Sequence, residues 1–233
     1  MVTIAANLQA VRARIARAAA LAQRNPDDIR LLAVSKTFPA GDIVAAHAAG
    51  QSAFGENFVQ EGVRKVCELA HLNLEWHFIG PIQSNKTRAI AEHFAWVHSL
   101  DREKIAQRLN NARPAHLPPL NVLIQVNVSG EASKSGVAPG EERILADSIR
   151  RLPRLRLCGL MTIPEPTPEV SLQRQRFALL RRLQQRLQSD DPGIHVLSMG
   201  MSDDLEAAIA EGATLVRVGT AIFGARATVK DEP

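Results

Sequence analysis

The stretch IRLLAVSKTFPAGD, residues 29–42, shows the unit from which the fold of this 233-residue chain is built. An apolar run from Leu31 to Val34 is followed at once by Ser35 and Lys36. Uninterrupted apolar strands are typical of parallel sheets whose two faces are both covered. Because burial disfavours a charged ammonium group, a lysine at the end of such a strand indicates an amine that points out of the packed core.

Seven further apolar segments follow along the chain, with amphipathic segments between them. They are SAFGEN (52–57), LEWHFIG (74–80), FAWVHSL (94–100), LNVLIQVNV (120–128), LRLCGLM (155–161), IHVLSMG (194–200) and TLVRVGT (214–220). Eight such strands that alternate with helices predict an α/β fold, a closed (β/α)8 barrel of the TIM type. A doubly wound open sheet is the second alternative.

The N-terminal segment predicts one helix in addition to those of the barrel. Its apolar residues recur at helical spacing, and they are Ile4, Leu8, Val11, Ile15, Ala18 and Ala22. A chain of this length with 45% hydrophobic residues can bury a full core. We therefore expect a single domain over residues 1–233.

The composition argues against several classes of protein. Cys67 and Cys158 belong to no paired motif and the seven histidines are scattered, so we expect neither a disulfide framework nor a metal site. No apolar run reaches the roughly 18 residues of a membrane span, and no secretory signal core is present, so we expect a cytoplasmic protein. The arginine-rich segments 150–156 and 174–188 contain a single aromatic residue, Phe177, and not the series of interleaved aromatic residues that stack on bases, so we expect no nucleic-acid partner.

Polar residues and glycines gather where the predicted strands end, which is the active face of such barrels. Partial burial would lower the pKa of the Lys36 amine, as imine formation with an aldehyde requires. Gly219 and Thr220 follow the last strand and offer backbone amides and a hydroxyl, and Ser202 is expected to cap the helix that follows strand seven. Asp203 and Asp204 count against a bare anion site there. An amine and a phosphate-binding loop at one mouth indicate a phosphorylated aldehyde as ligand.

These residues lie in motifs that resemble the pyridoxal phosphate homeostasis protein family, whose fold is similar to the N-terminal barrel of alanine racemase. The motifs are AVSKTFPA, FGENFVQEG, WHFIGPIQSNK, NVLIQVNVSGEASKSGV, GLMTIP and LSMGMSDDLEAAIAEGATLVRVGTAIFGAR. The resemblance implies that Lys36 carries pyridoxal 5'-phosphate (PLP) as an internal aldimine. It also implies that Ser202, Gly219 and Thr220 hold the phosphate. Arg217 would lie beside the pyridine nitrogen, and Asn57 would line the ring pocket.

Several departures from alanine racemase argue against racemase activity. Arg217 is always charged and cannot protonate the pyridine nitrogen as a carboxylic acid can, so the ring would be a weaker electron sink. The chain has no tyrosine to act as the second base, and we expect no counterpart of the racemase domain that supplies it. Ile163 stands where racemases have a histidine, and Lys134 stands where they have an arginine. We therefore predict no catalytic residue and a monomeric PLP carrier.

The predicted role is PLP homeostasis, through buffering of the cofactor or its delivery to enzymes that lack it. Lys134 is a candidate second amine that accepts the aldehyde during transfer, and a plain surface lysine is the alternative. The proline-rich segment 162–171 fits either a lid or a stiff solvent loop.

Three other functions remain open from the sequence. The first is a nucleotide hydrolase, because GPIQSNKT (80–87) approaches a phosphate-binding loop, although Asn85 replaces its second glycine. The second is a PLP-dependent enzyme of unknown substrate, and the third is a pure interaction protein. Glu56 is interpreted as a helix-start residue, and His77 as a packed, hydrogen-bonded histidine.

Overall fold

Eight parallel strands close into a barrel in which each strand pairs with its neighbours in chain order. The computed structural model describes residues 3–131 and 135–225. The strands are β1 Arg30–Val34, β2 Ala53–Glu56, β3 Glu75–Phe78, β4 Trp96–Leu100, β5 Leu120–Gln125, β6 Leu155–Met161, β7 Val196–Ser198 and β8 Leu215–Val218. The pairing of β1 with β8 completes the ring. The predicted (β/α)8 barrel is confirmed, and the open sheet is excluded.

Helices surround the barrel and cover its outer face. They are α1 Ile4–Leu21, α2 Ala40–Ala48, α3 Val59–Glu68, α4 Thr87–His93, α5 Glu103–Ala112, α6 Glu142–Arg150, α7 Val170–Asp190, α8 Leu205–Ala210 and α9 Thr220–Phe223. The predicted additional helix is α1, which packs on α2, α8 and α9. It buries Leu8, Val11 and Ile15, the residues whose spacing predicted it.

The strand residues alternate between two apolar layers because successive side chains of a strand point to opposite faces. Leu32 and Val34 of β1 belong to a small cluster inside the barrel, whereas Ala33 packs outward against the helices. Most of the core lies in that outer layer. The same alternation turns His77, His98 and Arg217 inward, and Glu56 outward toward α3.

The described residues add two observations on the excluded classes. Within residues 3–131 and 135–225, no helix has both the length and the apolar character needed to cross a membrane. The same residues contain no group of three or more histidine, cysteine, aspartate or glutamate side chains able to hold a metal ion.

Candidate functional site

A cavity of about 240 Å³ opens at the C-terminal mouth of the barrel. All six predicted cofactor-binding residues line it, and they are Lys36, Asn57, Ser202, Arg217, Gly219 and Thr220. Its other lining residues are Val34, Phe38, Ile79, Ile163, Met201 and Asp203. The barrel thus brings together residues from the ends of β1, β2, β7 and β8. Lys134, the predicted second amine, lies outside the described residues.

A larger cavity of about 490 Å³ adjoins this one and shares Met201 and Asp203 with it. It lies between the proline-rich segment and α8, and no lysine of the described residues lines it. Because Lys36 and Gly219 both line the smaller cavity, we take the smaller cavity as the candidate site.

Lys36 stands in a tight turn that follows β1. Ser35 N–H donates to the carbonyl oxygen of Gly55 at 3.0 Å, and Phe38 N–H donates to the carbonyl oxygen of Ser35 at 3.1 Å. Between them Thr37 has a φ of 68°, a left-handed conformation that β-branched residues rarely adopt. The Thr37 N–H donates to Oε1 of Glu61 at 2.7 Å. Glu61 therefore stabilises a strained turn next to the lysine.

A buried ion cluster lies behind this turn, and the sequence analysis missed it. Nζ of Lys65 donates to Oε1 of Glu56 at 2.8 Å, to Oε1 of Glu61 at 2.7 Å and to the carbonyl oxygen of Ser35 at 2.7 Å. The Ser35 hydroxyl donates to Glu56 at 2.6 Å. One signal was available, because Glu61 and Lys65 are four residues apart in α3.

Glu56 corrects one interpretation of the sequence. It ends β2 and is fully buried, whereas α3 begins only at Val59, so Glu56 is not a helix-start residue. Burial raises the pKa of its carboxyl, and the Lys65 ammonium opposes that rise. Its second oxygen, Oε2, has no hydrogen-bond partner among the described residues.

Arg217 forms the inner wall of the cavity and is only 3% exposed. One terminal nitrogen donates to the Ser198 hydroxyl at 2.7 Å, and the other donates to the carbonyl oxygen of Thr162 at 2.8 Å. Burial lowers the pKa of Arg217 to about 10, against the opposing field of Asp204. The guanidinium therefore remains charged at neutral pH.

Two histidines continue the hydrogen bonding from Ser198 into the barrel. His98 Nδ1 lies 2.9 Å from the Ser198 hydroxyl oxygen, and its Nε2 lies 2.8 Å from Nδ1 of His77. His77 Nε2 lies 2.7 Å from Oε1 of Glu75, which also accepts from Arg30 at 2.6 Å. The interpretation of His77 as a packed, hydrogen-bonded residue is confirmed.

The loop after β7 differs from its predicted form. Helix α8 begins at Leu205 and Asp204 precedes it, so Ser202 does not cap that helix. Arg14 of α1 donates to the carbonyl oxygen of Ser202 at 2.7 Å, and Met201 N–H donates to Asp204 at 2.6 Å. These two bonds fix the loop with Ser202 at the cavity.

Gly219 approaches the end of β1 closely. A Cβ at this position would lie 3.1 Å from the carbonyl oxygen of Val34, which is tighter than an ordinary contact. The absence of a side chain therefore keeps the backbone of β8 close to β1 on this side of the cavity.

The GPIQSNKT segment does not form an open phosphate cradle. Residues 84–86 form a single 3-10 turn ahead of α4. Thr87 is buried and its hydroxyl donates to the carbonyl oxygen of Ser84 at 2.9 Å, where Arg108 also donates. Arg108 also donates to the Thr87 hydroxyl oxygen at 3.3 Å, so a guanidinium cation contacts the oxygen that would hold a magnesium ion, and the structure does not favour the nucleotide hydrolase.

Comparison with known proteins shows the family to which the chain that forms this cavity belongs. A family model described as the alanine racemase N-terminal domain matches residues 6–227. The chain is 63% identical to the pyridoxal phosphate homeostasis protein of Pseudomonas aeruginosa over 226 residues, 97% of each chain. The structure of PipY from Synechococcus elongatus PCC7942 with PLP bound is 38% identical, with a TM-score of 0.78 over 90% of this chain and 100% of that chain. Alanine racemase of Corynebacterium glutamicum, at 17% identity, shares the fold alone, with a TM-score of 0.70 over 97% of this chain and 64% of that chain.

Proposed function

Because this chain belongs to the alanine racemase N-terminal domain family, and within it to the pyridoxal phosphate homeostasis proteins, we propose that it binds PLP covalently through Lys36. We further propose that it buffers or delivers the cofactor and has no racemase activity. The observation that carries the proposal is the convergence of Lys36, Arg217 and the Gly219 turn on one cavity. PLP supplies an aldehyde that reacts with an amine and a pyridine ring that withdraws electrons.

The donors of the cavity suit an anionic, aromatic ligand. Ser202 and Thr220 bring hydroxyl groups, and Gly219 lets a phosphate approach the backbone without meeting a side chain. Arg217 brings a charged guanidinium from the barrel interior. Val34 and Ile79 provide the apolar surface on which a flat ring can lie.

Asn57 gives an independent sign that a polar ligand completes the site. Its side-chain oxygen, Oδ1, is buried and has no hydrogen-bond partner among the described residues. An unpaired buried acceptor is destabilising, so such groups in native proteins call for an explanation. A ligand that donates a hydrogen bond to Asn57 would satisfy it.

The acid–base groups of the cavity support a carrier rather than a racemase. A racemase needs an acid–base group on each side of its substrate. Among the residues that the structure describes, the titratable ones that line the cavity are Lys36, Asp203 and Arg217, and the chain contains no tyrosine. Arg217 keeps its proton at neutral pH and acts as a hydrogen-bond donor. Ile163, at the mouth, offers no proton-transfer group.

The test is reduction of the protein with borohydride after incubation with PLP, followed by mass analysis of its peptides. We expect a yellow protein whose reduced cofactor stays on the peptide that contains Lys36. The Lys36→Ala variant should lose this label, whereas Lys104→Ala, which changes an exposed lysine of α5, should keep it. A label that persists on another peptide in Lys36→Ala would contradict the proposed attachment.

Delivery is tested by mixing the loaded protein with an enzyme that lacks PLP and measuring recovery of that enzyme's activity. We expect transfer faster than spontaneous release into buffer. Lys134 remains our candidate for a transient second amine, so Lys134→Ala should slow transfer without changing the label on Lys36. Equal transfer rates in Lys134→Ala and the parent chain would eliminate that role. A test for racemisation of alanine should give no product in either chain.

A further inference from the structure

A line of polar side chains crosses the barrel interior from the cavity to the opposite end. We call it the interior chain, and it consists of Arg217, Ser198, His98, His77 and Glu75. Its three middle members are fully buried. Glu75, by contrast, lies at the N-terminal end of β3 with a side chain 35% exposed. The proposed binding of PLP uses only Arg217 of this set.

The hydrogen atoms of the interior chain can be ordered from its carboxylate end when both rings are neutral. A carboxylate can only accept, so His77 donates from Nε2 to Glu75 and is left with an acceptor at Nδ1. His98 therefore donates to His77 from Nε2 and is left with an acceptor at its own Nδ1. The Ser198 hydroxyl gives its hydrogen to that nitrogen and accepts from Arg217, whose guanidinium can only donate. Every bond therefore runs in one direction, from the guanidinium to the carboxylate.

The charge states agree with this order. Burial lowers the pKa of His77 and lowers that of His98 well below its ordinary value, so both rings are neutral at pH 7. A neutral imidazole has one donor and one acceptor nitrogen, which is what each position in the interior chain requires. Aligned hydrogen bonds polarise one another, so the carboxylate at the end strengthens the bonds before it.

We infer that the interior chain positions Arg217 for the ligand of the cavity, and that the Glu75 carboxylate is the acceptor on which this positioning depends. No carboxylate of the described residues forms a direct ion pair with Arg217, whose two contacts are a hydroxyl and a carbonyl oxygen. The interior chain thus gives a buried cation an indirect link to a negative charge. Glu75 and the histidines are positioning residues, since they act through Arg217.

The first test needs no cofactor. It measures the protonation of the two histidines and the hydrogen exchange of Arg217 by nuclear magnetic resonance at pH 7. In protein labelled with nitrogen-15, we expect the spectra to show that the rings of His77 and His98 are neutral and carry their hydrogen on Nε2. In Glu75→Ala, the N–H groups of Arg217 should exchange with solvent roughly tenfold faster, because the final acceptor is lost. Glu75→Gln keeps an acceptor oxygen without the charge, so its exchange rate should lie between those two.

A matched control removes a similar carboxylate elsewhere. Glu211 accepts from Arg174 at 2.8 Å and pairs with Arg181 at 2.9 Å, and it is not part of the interior chain. Glu211→Ala should leave the exchange of Arg217 unchanged. Protonation of His98 on Nδ1, or equal exchange of Arg217 in Glu75→Ala and the parent, would overturn the inference.

The second test measures the ligand and rests on the proposed function. In titrations with PLP, Glu75→Ala should bind roughly tenfold more weakly than the parent, with a shifted absorption maximum, and Glu75→Gln should be intermediate. Glu211→Ala should match the parent in both. If Lys36 carries no PLP, the proposed function is wrong. The first test then still shows whether the interior chain positions Arg217, because it uses no PLP. Unchanged affinity and absorption in Glu75→Ala would overturn the link to the ligand.

Discussion

Nζ of Lys65 lies 2.8 Å from Oε1 of Glu56, and both side chains are buried behind the turn that presents Lys36. The same ammonium also contacts the carbonyl oxygen of Ser35, which immediately precedes Lys36. A charged pair in this position is strongly destabilising when only one partner is removed, because the other charge stays buried. The cluster therefore links the stability of the barrel to the geometry of its proposed site.

Lys65→Met should lower the free energy of unfolding by about 3 to 5 kcal/mol, since it leaves the Glu56 carboxylate buried without its cation. Urea denaturation at pH 7 measures this loss. The double variant Lys65→Met with Glu56→Gln removes both charges and should recover part of it. A loss in Lys65→Met of less than about 1 kcal/mol, the range of surface pairs, would contradict a buried cluster.

Glu61→Ala should loosen the turn at Thr37, whose N–H then lacks its carboxylate acceptor. We expect a loss of about 2 kcal/mol in urea denaturation, because a hydrogen bond to a charged group is removed. Covalent labelling of Lys36 by PLP and borohydride should also slow. Adding Thr37→Gly to this variant should restore part of the stability, because glycine adopts a positive φ without strain. No recovery on that addition would show that the conformation of Thr37 is not what Glu61 stabilises.

The apolar runs were sufficient to predict the barrel, because each strand is buried on both faces and its sequence is therefore apolar almost without interruption. The position of Lys36 and Gly219 at one cavity could be predicted for a related reason, since the C-terminal ends of the strands in a closed barrel must meet at one mouth. The cluster of Lys65 with Glu56 could not be predicted from the sequence, because it depends on which face of α3 packs over the end of β2. The link between His77 and His98 likewise depends on the register of β3 against β4, and no local pattern fixes that register.

Ser202 shows where local reasoning gave the wrong answer. A serine before a helical pattern is a common cap. Here Asp204 accepts from Met201 N–H, and the helix starts after that turn, at Leu205. Three polar residues in a row offered alternative start points, and the contact of Arg14 with the Ser202 carbonyl, which is remote in sequence, holds the loop in the observed form.

Acidification should destabilise the chain through the two interior histidines. Their pKa values are lowered in the folded state by burial, so below the ordinary value of 6.5 the unfolded chain binds protons that the folded chain does not. Their contribution is therefore present above pH 6.5 and is lost as the pH falls from there toward the folded pKa values. Each histidine contributes a slope of up to about 1.4 kcal/mol per pH unit.

The measurement is urea denaturation at pH 7.0 and pH 5.5, in the parent chain and in His98→Asn. The variant should lose less stability between the two pH values, since one of the two protonation differences is gone. Glu56 acts in the opposite direction because its folded pKa is raised, so only the difference between the two proteins is interpreted. Equal losses in both proteins would contradict the neutral, buried state of His98.

Gly80→Ala should disturb the cavity through Asn57. A Cβ on Gly80 would lie 2.1 Å from the carbonyl oxygen of Asn57, so the backbone after β2 must move to admit it. We expect a loss of about 2 kcal/mol in urea denaturation, as for other overpacked sites, together with weaker binding of PLP. Gly41→Ala is the matched control, because nothing lies within 4 Å of its added Cβ and α2 should gain up to about 1 kcal/mol from alanine. If Gly80→Ala is as stable as the parent but binds PLP more weakly, the backbone near Asn57 has moved without loss of packing, and Asn57 still belongs to the site. If Gly80→Ala is folded and binds PLP as tightly as the parent, Asn57 does not contribute to the binding of the ligand.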